Sequence, residues 1–289
     1  QFAGSGINSA DANGSTAVGN TALWKNTSGR YNTAIGFQSL AQNLIGDSCT
    51  ALGYQALTSS LGNDNTAIGY LAGTALTSGT SNTMLGAYAG DAMTTSNDNV
   101  GIGLNAIGQA TTLTDRVVAI GSGAMGGGIS TADITGLVSI GYESLAGSLQ
   151  ATTDYTVAIG YQALKTLTSG TSNTAVGYES LKVEVNGDKS TAIGYSSLKN
   201  QTGTSGAVSN TALGFASGDG ITTGTSCTII GSEADPSAHN SINQTVIGQG
   251  ATGVANNSVT LGNASTTAVY MAQDSGATVH AGKLNLTNN

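Results

Sequence analysis

An aliphatic residue followed by glycine recurs along the whole chain, from Val18-Gly19, Ile35-Gly36 and Leu52-Gly53 to Leu261-Gly262. The anchor glycines are 19, 36, 53, 69, 86, 103, 121, 141, 160, 177, 194, 214, 231, 248 and 262, most often 17 residues apart. Fifteen copies therefore cover nearly all of the 289 residues. A period this short makes each copy one coil of a solenoid, stacked on its neighbours and unable to bury an apolar face alone. The expected fold is all-β, a parallel β-solenoid or β-roll of about fifteen short coils.

The columns of the repeat carry the detail. The residue before the glycine is always Val, Ile or Leu, and three before it stands Thr or Val, from Thr16 and Thr33 to Val259. Between them the residue is usually Ala, and three after the glycine every copy has Ala or Ser. β-Branched residues at alternate positions fit a short strand, because their stiff side chains suit a pleated surface. Thr and the aliphatic residue then share one face, with Ala and Gly on the other, and both faces are expected to be buried. On this reading the aliphatic column stabilises the ladder, each buried side chain contributing ~1.5–3 kcal/mol before backbone ordering is subtracted. After the glycine, runs such as Tyr54-Gln55-Ala56-Leu57 and Tyr161-Gln162-Ala163-Leu164 predict a turn and the start of a second strand. Polar returns such as Thr77-Ser78-Gly79-Thr80-Ser81-Asn82 close each coil. At ~4.8 Å per stacked strand the rod would be on the order of 70 Å long. The organisation is a lead-in or cap over 1–14, the repeats over 15–266 and a C-terminal segment over 267–289.

The pattern also explains an unusual composition. Charged residues are 8% of the chain and Gly numbers 43, yet strict aliphatic periodicity argues for order. A net charge of −8 argues against a nucleic-acid surface, and no run approaches the ~18 apolar residues of a membrane span. The chain begins at Gln1 without a charged-then-apolar leader, the expectation being a processed chain or a fragment. A weakly charged rod rich in Ser, Thr and Asn suits a virion surface or an extracellular setting. Cys49 and Cys227 both stand four residues before an anchor glycine, where other copies have Asn32, Asn65, Asn82, Asn173 or Asn210. Ten coils apart, they are beyond disulfide reach and read as replacements for Asn.

Chemistry is sparse. His239 and His280 have no Cys, Asp or second His at ligand spacing, so neither a metal nor a cofactor is expected. Gly126-Gly127-Gly128 resembles a calcium-binding nonapeptide only superficially, and Asp64, Asp98 and Asn99 fit turn-forming roles better than cation binding. The 16 acidic residues form no recurring catalytic pair, and no enzyme activity is expected. The binding candidates are the rings after the glycine, above all Tyr54, Tyr70, Tyr142, Tyr161, Tyr178 and Tyr195, with Phe37 and Phe215 in the same column. Rings along a rod can form a sugar platform, but wedging between coils or subunits is the preferred reading. The longer returns 126–137, 147–155 and 199–209 break the period and point to recognition, although drift in a return loop is the preferred reading for any single one.

Asn65-Thr66-Ala67-Ile68-Gly69-Tyr70 and Thr156-Val157-Ala158-Ile159-Gly160 resemble two related repeats. One is the head of trimeric autotransporter adhesins, a left-handed parallel β-roll with three chains about an axis. The other is the Asn-Thr-Ala-x-Gly-Tyr-x-Ala/Ser-Leu repeat of bacteriophage tail fibres, which fits the longer period and the aromatic-plus-Leu ending better. Ser258-Val259-Thr260-Leu261-Gly262-Asn263 and Val269-Tyr270-Met271-Ala272 also look like the segment preceding a self-cleaving chaperone domain in phage fibres. The resemblance implies a homotrimeric tail fibre or virion appendage that recognises a host cell-surface glycan or protein, without membrane insertion. The alternatives are an adhesin head and an ice-binding solenoid, the latter requiring a flat, exposed Thr array.

Overall fold

A computed structural model describes residues 14–109, 114–129, 134–150, 153–203 and 206–270. These residues are all-β, with no helix among them. Fifteen strands of three or four residues, from Thr16–Val18 and Thr33–Ile35 to Gln244–Ile247 and Ser258–Leu261, form one parallel sheet in which each pairs with the strand of the next coil. Register places each column upon itself: Thr33 faces Thr50, Ala34 faces Ala51 and Ile35 faces Leu52. The chain is thus a parallel β-solenoid, as its period requires.

The anchor glycine ends each strand in a conformation that side chains resist. From Gly19 to Gly248 its φ lies between +127° and +143°. Its α-carbon faces the backbone of the next anchor, so a β-carbon at Gly160, for example, would press on the carbonyl of Gly177.

The segment after the glycine departs from the expected second strand. It is a run of turns in which left-handed and right-handed backbone alternate: Gln55 and Leu57 have φ of +54° and +49°, and Gln162 and Leu164 have +53° and +49°. Stacking still satisfies it, since the N–H of Gln55 donates to the Phe37 carbonyl at 2.8 Å and that of Leu57 to the Ala72 carbonyl at 3.0 Å. Inter-coil bonding offsets the cost of left-handed Gln and Leu, which no local preference supplies. Among the described residues, strand pairing on the return side is confined to Thr114–Asp115 with Ile134–Thr135, Gly187–Asp188 with Gly206–Ala207, and single bridges.

Burial corrects the assignment of faces. Thr and the aliphatic residue do share one face, but that face is open in the single chain. In Thr50–Leu52 the pattern is half-buried, buried, exposed, and Leu52, Leu85 and Leu213 retain more than 40% of their surface. The aliphatic column therefore does not fill the coil. The core is built from the strand-centre Ala column (Ala34, Ala51, Ala67, Ala158, Ala175) against the Leu column of the turn segment (Leu40, Leu57, Leu164, Leu181), all fully buried. Volumes compensate between the columns. Where the Leu position becomes Gly73 and Gly90, the strand centre becomes Met84, whose sulfur lies 3.2 Å from the place of a β-carbon on Gly73.

A buried Asn column closes each coil from inside. Asn65 Nδ2 donates to the Gly79 carbonyl at 2.7 Å, and its Oδ1 accepts the Asn82 N–H at 3.0 Å. Asn32, Asn173 and Asn210 repeat both bonds. Cys49 and Cys227 stand in this column as free, buried thiols, and Cys49 Sγ donates to the Gly62 carbonyl at 3.2 Å where Asn would. Burial pushes both thiols up from their ordinary range.

Candidate functional site

The turn after each anchor glycine delivers the ring column to the outside of the rod. Because copies stack in register, the rings stack too. Phe37, Tyr54 and Tyr70 lie in parallel with centroids 5.2–5.3 Å apart, and Tyr142, Tyr161, Tyr178, Tyr195 and Phe215 form a second stack at 4.8–5.3 Å. Tyr88 sits one residue later in its repeat than the others and meets Tyr70 edge-on, at 70°. All six candidate tyrosines thus belong to ladders, 40–48% exposed.

This geometry limits what the rings can do. Within a stack each face is covered by the next ring, so only edges and hydroxyls meet solvent. A sugar platform needs open faces, and these remain only where a stack ends. Between Tyr88 and Tyr142 the ring position is held by Leu104 and Ser122, which separates the two stacks.

Beside the second stack runs a polar column that the ring pattern did not reveal. Glu143 accepts hydrogen bonds from Gln162 Nε2 at 2.8 Å and Lys165 Nζ at 2.6 Å. Glu179 is bridged by Lys182 at 2.6 Å and Lys199 at 2.7 Å. Lys165, then Gln162, hold the Glu143 carboxyl below its usual range, and Lys182, then Lys199, do the same for Glu179. In return Glu143 raises Lys165 and Glu179 raises Lys199. Glu143 also pushes the Tyr142 phenol up, whereas for Tyr178 desolvation comes first and Glu179 second. The sequence signal was available: Lys165, Lys182 and Lys199 recur five residues after their anchor glycines.

Asp64 and Asp98 hold left-handed turn positions, with φ of +59° and +57°, and Asn99 belongs to the buried Asn column. Asp235 is pushed up to about 6 by burial, opposed by the Gly220 N–H and reinforced by Asp219. Among the described residues no group of three His, Cys, Asp or Glu could hold a metal ion. His239 lies in a return, while His280 lies outside the described residues, as do parts of the returns 126–137, 147–155 and 199–209. No protein-family model and no characterised protein matches the chain.

Proposed function

We propose that this chain is a homotrimeric fibre, a rigid virion tail fibre or related appendage that holds host-recognition surfaces away from their base. The observation that carries the reading is the open face of the sheet. A column from Val18, Ile35 and Leu52 to Leu261 presents aliphatic side chains, exposed or half-buried, on a strand face that no described residue buries. Contiguous exposed apolar surface of this kind is characteristic of an interface, and a repeating face is best covered by copies of itself. Three chains would bury these columns about a common axis, leaving the ring ladders and the longer returns outward. Three copies of each surface site would then act together, so weak contacts to a glycan or protein on a cell gain avidity.

The Leu85→Glu substitution tests which face is buried. Leu85 is 43% exposed in the single chain, so the coil tolerates the carboxylate, whereas three carboxylates meeting at an axis would not be tolerated. The native mass should fall to that of one chain with the β circular dichroism retained. An unchanged trimeric mass would place the axis elsewhere.

The open face also supports a second reading. Thr16, Thr83 and Thr211 are exposed on the sheet surface while Thr33, Thr50 and Thr66 are half-buried, which meets in part the requirement of an ice-binding array. Four consecutive copies replace that Thr with Val100, Val118, Val138 and Val157, which favours an apolar contact between chains.

A further inference from the structure

The two ring ladders part at a notch in the rod. In the coil that begins at Gly121, Ser122 takes the ring position and Gly123 takes the position held elsewhere by Gln38, Gln55, Glu143 and Gln162. Gly126 removes a further side chain from the same coil. The result is a cavity of about 360 Å³, open to the surface and lined by Asn105, Gln109, Gly123, Gly126, Glu143 and Lys165. Among the described residues a β-carbon on Gly123 would meet only Glu143, at 3.4 Å, so the space is produced by a missing side chain that no described neighbour replaces.

The chemistry around this space is specific. The Asn105 and Gln109 side-chain amides line the cavity and make no hydrogen bond to the described residues. Glu143 presents a carboxylate steadied by Lys165 and Gln162. Immediately beside it stands Tyr142, the end of its ladder, with Tyr161 on one face and no ring stacked on the other among the described residues. Amides and a fixed carboxylate, with a ring at the end of its ladder nearby, suit a ligand that carries several hydroxyls. Charge narrows the class. The Lys165 ammonium is engaged by Glu143 at 2.6 Å, and the chain carries a net −8, so an anionic ligand finds no free cation at this site.

We infer that the notch is a binding site for a short segment of a neutral saccharide, repeated once on each chain. This rests on the reading of the rod as a surface-recognition fibre and names where recognition occurs. Gly123→Gln provides the test. Gly123 has φ +66°, close to the +54° and +53° of Gln55 and Gln162, so glutamine continues an existing left-handed column and fills the notch at the backbone cost those residues already carry. Binding would be measured on an array of neutral glycans and by calorimetry with N-acetylchitotetraose, maltotetraose and mannotetraose, using sialyllactose as the acidic probe. The expected result is binding to at least one neutral glycan, weakened roughly tenfold or more by Gly123→Gln with the native mass and the β circular dichroism retained. Gln109→Ala should weaken it less and in the same direction. Binding that survives Gly123→Gln, binding to sialyllactose alone, or no binding to any neutral glycan at millimolar concentration would overturn the assignment. None of these results would alter the native mass on which the fibre reading depends. A monomeric mass with Gly123-sensitive binding would instead remove the fibre and leave the notch.

Discussion

Gly160→Ala is expected to divide the rod into two weakly coupled halves. At φ +139° the residue lies in a region that L side chains rarely adopt, and the added β-carbon would overlap the Gly177 carbonyl in the next coil. Backbone strain and the clash cannot both relax, because Gly177 is itself held against Gly194. The expected loss is about 4 kcal/mol or more, concentrated at one junction between coils. In a solenoid, stability is approximately a sum of coil and junction energies, so one weak junction divides the cooperative unit. Denaturant unfolding should become biphasic, or its midpoint should fall sharply. Gly128→Ala is the control, because among the described residues a β-carbon there has only Gln109 Oε1 nearby, at 3.8 Å. A Gly160→Ala protein that unfolds like the control would show that the anchor glycines do not set the stacking.

Asn65→Leu is expected to cost about 2–5 kcal/mol although leucine is the more apolar residue. Asn65 is fully buried, and its loss removes the acceptor of the Asn82 N–H and the donor to the Gly79 carbonyl. Each buried group deprived of its partner costs about 1–3 kcal/mol. Asn65→Cys should be milder, near 1 kcal/mol, because a thiol at this column still reaches a return carbonyl, as Cys49 and Cys227 do at 3.2 and 3.5 Å. Chemical denaturation of the two variants checks the order. Equal losses, or a leucine variant as stable as the parent, would mean that the Asn column is not what closes the coils.

The period and the strand positions were legible because both depend on backbone geometry that residue types report directly. Val157–Ile159 reads as a strand from its alternating β-branched pattern, and the structure places it there. Which face turns inward was not legible. A period of two separates Ala158 from Val157 and Ile159 but does not say which side meets the core, and the inner partner is the Leu column of a different segment. The turn run was misread as a second strand because Gln162 and Leu164 carry no local signal for left-handed backbone; contacts between coils impose it. At the site, the ring column was visible, but the covering of ring faces follows from stacking distance. The notch required Ser122 and Gly123 to fall together opposite Glu143 and Lys165, which are separated from them by one or two coils.

The proposed trimer would cover the open aliphatic face with two further copies of the chain. Light scattering on the purified chain, coupled to size exclusion, measures this directly. A trimer has a native mass three times the 28.4 kDa of one chain, and that is the expected result. A mass of one chain, holding over a range of concentrations, would contradict it and leave the Thr and aliphatic columns facing water.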